Sequence, residues 1–101
     1  MSETYLEQLK RERDAQDRQA IVDALPLIRQ KMAEGVERRD TEIRVSVDKR
    51  VLSVLRMRES ENKDFFYEEM SKLGLDGSAI KWDAHTERPP YDYWLVIDIG
   101  E

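Results

Sequence analysis

The residues best suited to chemistry lie close together near the C-terminal end of the chain. Asp83, His85 and Glu87 occupy alternate positions around the only histidine of the sequence. On a β-strand such side chains project from one face, at most ~7 Å between successive members. A histidine flanked by carboxylates suits a metal ligand or a general base. One strand presents its side chains in a row, whereas a closed metal site needs converging ligands, so we expect a polar strand without a metal.

Other catalytic signals are weak. No serine lies in a glycine-flanked G-x-S-x-G turn, and the 4 glycines form no phosphate-binding loop. With 22 acidic residues, pairs of carboxylates are too common to be informative. The absence of cysteine excludes disulfides and thiolate metal sites. We therefore expect a protein that is not an enzyme and needs no cofactor.

The first element that could position functional residues is an N-terminal helix. Residues 3–19 are rich in helix formers, and Leu6 and Leu9 begin a heptad pattern that turns polar after one turn. The pattern favours a charged helical arm over 1–19, either solvated or docking on a partner. The remaining residues, 20–101, are long enough for one domain with a modest core.

That domain should begin with a second helix. Four apolar residues recur at helical spacing: Ile21, Leu25, Ile28 and Met32. Because proline is costly inside a helix but tolerated in its first turn, Pro26 predicts a break or kink near residues 22–24, with Asp23 as the N-cap. Gly35 is the expected end of this helix.

The rest of the pattern alternates between strands and helices. Residues 41–47 alternate as a half-buried strand, and Asp48 caps the helix that follows. Ser60 caps a further helix that ends near Gly74. Two more strands, 79–86 and 91–99, flank a proline-containing connection and should form an antiparallel hairpin.

These elements predict an α+β two-layer sandwich, in the order α-β-α(α)-β-β. A small, mostly antiparallel three-stranded sheet should carry the helices on one face. Trp82, Tyr91 and Tyr93 should point toward the helices. The predicted core contains Ile21, Leu25, Ile28, Val45, Leu55, Phe66, Met70, Leu73, Trp82, Leu95 and Ile97.

The face of the sheet away from the helices is the principal candidate surface. Strand alternation places Trp94 and Val96 there with Arg44 and Lys81, and no further element of the chain remains to cover them. The simplest interpretation is that the tryptophan packs on neighbouring aliphatic stems. Because tryptophan and arginine are enriched at the energetic centres of interfaces, the functional interpretation is a surface for a protein partner or a second copy.

Charge gives the alternative function. Residues 1–58 carry 13 basic and 11 acidic side chains, and residues 59–101 carry 4 basic and 11 acidic ones. The net charge of −5 argues against a general phosphate-backbone binder, but a local basic edge over 38–58 could contact nucleic acid. Its members are Arg38, Arg39, Lys49, Arg50, Arg56 and Arg58.

We therefore expect a small regulatory protein that acts through protein–protein contacts, with nucleic-acid binding as the alternative. Its size and class are typical of accessory or inhibitor proteins of mobile elements. The N-terminus lacks the basic-then-apolar order of a signal peptide, and no apolar run approaches the ~20 residues of a membrane span. These features favour a soluble, cytoplasmic protein.

Overall fold

A computed structural model describes residues 2–100 of the chain. The chain order is three helices and three strands, with one short 3-10 turn over Gly77–Ala79. The elements are α1 (Tyr5–Arg38), β1 (Glu42–Ser46), α2 (Lys49–Arg56), α3 (Glu61–Lys72), β2 (Ile80–His85) and β3 (Asp92–Asp98). All strand pairs are antiparallel, and β3 lies between β1 and β2. The predicted α+β arrangement and its element order are confirmed.

Helix α1 corrects the prediction of a break near residues 22–24. It runs for 34 residues without interruption, and Pro26 lies within it. Its true N-cap is Thr4, whose hydroxyl accepts a hydrogen bond from the Glu7 backbone N–H, so Asp23 caps nothing. The predicted domain boundary at residue 19 therefore falls inside a continuous helix, and independence of the two parts stays a prediction.

The prediction that Gly35 ends this helix is also wrong. The helix ends at Arg38, and Arg39 adopts a left-handed conformation with φ 63°. Gly35 is buried where α1 crosses the sheet. An added Cβ would lie 2.6 Å from Ile43 Cγ2 and 2.9 Å from Ile99 Cδ1. This residue is glycine because helix and sheet approach too closely for a side chain.

The two shorter helices follow their local signals. The Asp48 carboxylate accepts from the Arg50 backbone N–H, and the Ser60 hydroxyl accepts from the Lys63 N–H, as the capping prediction required. Gly74, two residues after the end of α3, has φ 86°. Apolar residues of both helices are buried as predicted.

The core lies between the helices and one face of the sheet. Ile21, Ile28, Phe66, Leu95 and Ile97 are fully buried. Leu25 and Leu73 are half-buried at its margin. Trp82 was predicted to lie in the core, and this prediction is wrong because the residue is 38% exposed. The remaining predicted members are also buried: Val45, Leu55 and Met70.

Candidate functional site

The outer face of the sheet is formed by alternate residues of all three strands. In the central strand, Val96 lies opposite Arg44 of β1 and Lys81 of β2. Trp94 lies opposite Ser46 and Asp83 in the same way. The structure therefore brings together the four predicted partner-binding residues of the sheet, and we call Arg44, Lys81, Trp94 and Val96 the open sheet face.

Trp94 is held in place by its neighbours. The Arg44 guanidinium carbon lies 5.9 Å from the centre of the tryptophan ring, within the range of a cation–π contact. The ring is half-buried, and the indole Nε1 is shielded from solvent without a hydrogen-bond acceptor among residues 2–100. The contact with Arg44 agrees with the simplest interpretation, that the tryptophan packs on its neighbours. Trp94 and Val96 are both half-buried, whereas Arg44 and Lys81 are exposed.

The residues around His85 do not assemble into a metal centre in the described part of the chain. No group of three histidine, cysteine or acidic residues among residues 2–100 is placed to hold a metal ion. Asp83 Oδ1 accepts a hydrogen bond from the Ala84 backbone N–H at 2.8 Å. His85 ends β2 as an exposed residue, and Glu87 lies outside the strand, in the following loop.

The start of α1 projects as an arm. Leu6 is 60% exposed and Leu9 is 42% exposed, and Tyr5 beside them is also exposed. Side-chain bonds from α1 to α3 are found one turn further on, where the Asn62 amide donates to the Asp14 carbonyl oxygen at 2.8 Å. The two predicted partner-binding leucines therefore lie on an exposed stretch of α1.

The six basic residues of the alternative site are not gathered at one place. Arg38 pairs with Glu34, and Arg50 pairs with the buried Asp17 on α1. Arg39 lies at the end of the sheet next to Ile99, whereas Lys49 and Arg56 lie at the opposite end, beside the β2–β3 hairpin. Arg58 is exposed in the segment between α2 and α3.

A cleft beside the hairpin was missed by the sequence prediction. Its walls combine cations of α2 with aromatic residues of the hairpin, and we call Lys49, Arg56, Trp82, Tyr91 and Tyr93 the hairpin cleft. Among residues 2–100, no carboxylate lies within 4.0 Å of the charged nitrogens of its two cations.

Strand alternation already placed the three aromatic residues on the helix side of the sheet. It did not show how much of each aromatic side chain the helices would cover. Trp82 and Tyr91 are exposed in the cleft, and only Tyr93 packs against the core.

Comparison of this chain with protein-family models, with curated proteins and with solved structures finds no match. Within residues 2–100, no helix is both long enough and apolar enough to cross a membrane; α1 has the length but is highly charged. Three surfaces of the described residues are candidates for binding: the open sheet face, the arm and the hairpin cleft.

Proposed function

We propose that this chain is a non-enzymatic regulatory protein that acts by binding another protein through the open sheet face. The observation that carries the proposal is the half-buried pair Trp94 and Val96 on the central strand, on the face of the sheet away from the helices. Arg44 and Lys81 flank this pair on the two neighbouring strands. Aromatic residues and arginine dominate binding energy in protein interfaces, and lysine at the margin supplies charge without deep burial.

The shape of this surface favours a protein over a small ligand. Small molecules bind in concave pockets that enclose most of their surface, whereas a sheet face is broad and shallow. The Arg44 guanidinium carbon lies 5.9 Å from the centre of the Trp94 ring, a contact that would restrict both side chains before a partner binds. Such preorganisation lowers the entropic cost of association. Regulation would follow from occlusion of the partner's own surface or from recruitment of that partner.

The decisive experiment is quantitative affinity capture with the double variant Trp94→Ala/Val96→Ala. A partner enriched by the original protein should be lost at least about tenfold, as expected when interface centres are truncated. The matched control is Trp82→Ala, which removes the other tryptophan from the opposite side of the same sheet. If every partner remains bound to the double variant with unchanged stoichiometry, the open sheet face is not the binding surface.

Nucleic-acid binding is the second candidate because the fold builds the hairpin cleft. In sequence, the tryptophans and tyrosines near the C-terminus are far from the basic window. In the folded chain, Trp82 and Tyr91 line one cleft with Lys49 and Arg56. Exposed aromatic rings beside unpaired cations are the combination that binds single-stranded nucleic acid by base stacking and phosphate contacts. Asp83 at the same cleft and the net charge of −5 oppose it.

A fluorescence-anisotropy titration with single-stranded DNA and RNA tests this candidate. Binding should weaken steeply as salt rises, and Trp82→Ala and Arg56→Ala should each weaken it at low salt. Arg29→Ala, an exposed arginine of α1 remote from the cleft, is the matched control. Absence of binding at low ionic strength would remove nucleic acid from consideration and leave the protein-binding proposal intact.

A further inference from the structure

Helix α1 carries a second, mostly exposed row of residues on its flank, of which only Ala20 packs against the core within residues 2–100. Six residues along it recur at alternating spacings of four and three, the pattern of a helix that packs against another helix. We call them the outer stripe: Leu9, Arg13, Gln16, Ala20, Asp23 and Leu27. Ala20 is half-buried, and the other five are exposed. Leu9 and Leu27, both among the exposed large apolar residues, lie at its two ends, about 27 Å apart along the helix axis.

We propose that a second copy of this chain covers the outer stripe, with the two α1 helices antiparallel about a two-fold axis level with Arg18. In that register the leucine at each end meets the other leucine of the partner helix, because positions 9 and 27 are equidistant from the axis. Positions 13 and 23 are equidistant too, so Arg13 of each copy faces Asp23 of the other. Gln16 and Ala20 meet around the axis itself.

The order of residues selects this arrangement over a parallel pair. A parallel pair in register would set Arg13 against Arg13 and Asp23 against Asp23, and like charges in a helix interface are destabilising. The antiparallel pair gives two apolar contacts and two opposite-charge contacts from one repeated surface. Closed two-fold pairing of this kind is the commonest symmetry of homo-oligomers.

Both charged residues of the stripe already have a contact within their own chain: Arg13 pairs with Asp14 at 3.0 Å, and Asp23 accepts a hydrogen bond from the Gln19 amide at 2.8 Å. Because exposed contacts of this kind contribute little to stability, they can be exchanged for a pair across the dimer.

Asp17 lies beside the stripe, close to the proposed axis, where two copies would bring like charges together. Its carboxylate is buried, and Arg50 Nη1 lies 3.4 Å from it within the same chain, which neutralises that charge before pairing. Part of the stripe also borders a groove whose far wall is formed by Ser46, Val47 and Asp48 of the same chain.

The exposed arm supplies the second argument for a helical partner. Its first turns are helical although their side chains are exposed, and isolated helical turns are only marginally stable in water. A second α1 that packs along Leu9 would support these turns. The proposal goes beyond the open sheet face, which lies on a different element and stays free for another protein.

Charge exchange along the stripe tests both the dimer and its direction. Sedimentation velocity on the full chain, from about 1 μM to about 1 mM, should show a monomer–dimer equilibrium. Arg13→Asp and Asp23→Arg should each raise the dimer dissociation constant at least about tenfold, because each replaces both opposite-charge pairs by like-charge pairs. The double variant Arg13→Asp/Asp23→Arg should restore it, as should an equimolar mixture of the two single variants. Circular dichroism checks that the exposed substitutions leave the helices intact.

Leu27→Glu tests the apolar ends and should leave only monomer. Trp94→Ala/Val96→Ala should dimerise like the original chain, which separates this proposal from the proposed function. A chain that is monomeric throughout the concentration range overturns the proposal. So does a dimer that Leu27→Glu leaves unchanged, or one that the exchanged double variant does not restore.

Discussion

Gly35 shows how one residue sets the distance between the helical layer and the sheet. An alanine at this site would gain about 0.5–1 kcal/mol of helix preference. Its Cβ would stand 2.6 Å from Ile43 Cγ2, a branch attached directly to a stiff β-branched side chain. Overpacking of this kind costs typically about 1–3 kcal/mol. The contact therefore outweighs the helix preference.

We expect Gly35→Ala to lower the free energy of unfolding by about 1–2 kcal/mol in urea denaturation, because the steric term exceeds the propensity term. Gly77→Ala is the matched control. Its added Cβ would meet only Tyr67 ring carbons, the nearest at 3.4 Å, so its effect should be small. A more stable Gly35→Ala variant would show that α1 can move away from the sheet without cost.

Among the single elements, helix α1 shows how tertiary packing keeps a helix continuous through a proline. Pro26 has no N–H to donate to the carbonyl of Val22, and a proline in a helix interior costs about 3 kcal/mol. The helix continues because Ile21 and Ala24 before the proline, and Ile28 after it, are all buried against the same core. Tertiary packing on both sides of the proline outweighs its local preference.

Pro26→Ala should accordingly raise the free energy of unfolding, by up to about 3 kcal/mol, since it restores one backbone hydrogen bond and removes a ring clash. Urea denaturation measures the change. Arg29→Ala, one turn along at an exposed position, should alter it by no more than a few tenths of a kcal/mol. A destabilised Pro26→Ala variant would contradict the explanation from local helix preference.

Some elements of the fold could be predicted from the sequence and others could not. The caps at Asp48 and Ser60 and the alternation of β1 are local signals, each confined to a few neighbouring residues, and all three are confirmed. The continuity of α1 and the position of β3 between the other strands depend on contacts between distant segments, which periodicity does not contain.

The candidate surfaces differ in the same way: one depends on a local pattern, and another on contacts between distant segments. Alternation placed Trp94, Val96, Arg44 and Lys81 together, and the strand register agrees. The hairpin cleft was not predictable, because its cations come from α2 and its aromatic residues from the hairpin. Trp82 was wrongly predicted to lie in the core for the same reason. Alternation placed it on the correct face of the sheet, but it did not show how much of that face the helices cover.

Across the whole molecule, α1 joins the exposed N-terminal turns to the domain formed by the sheet, α2 and α3. The molecule measures 55 × 35 × 22 Å, and a helix of 34 residues is itself about 51 Å long. Contacts that anchor it to α3 are formed by Asp14 and Arg18. The Arg18 side chain donates to the Asn62 amide oxygen at 3.0 Å and lies 4.3 Å from the centre of the Phe65 ring. The side-chain contacts of α1 with α3 therefore begin near residue 14, five residues before the predicted boundary at residue 19.

Two truncations distinguish these positions. Removal of residues 1–12 should change the free energy of unfolding by less than about 1 kcal/mol, because residues 2–12 are all exposed. Removal of residues 1–19 should cost about 2–4 kcal/mol. It deletes the Arg18 contacts and leaves the buried Asn62 amide, which also donates to the Asp14 carbonyl, without partners.

Chemical denaturation of both truncated chains, with hydrogen exchange at α3, measures the difference. Asn62→Ala in the full chain is the control for the polar contact alone and should fall between the two truncations, because it removes the amide but keeps the cation–π contact of Arg18 with Phe65. Equal stability of the two truncated chains would place the boundary at residue 19, as the sequence suggested, and would mean that Asp14 and Arg18 contribute nothing to holding α3.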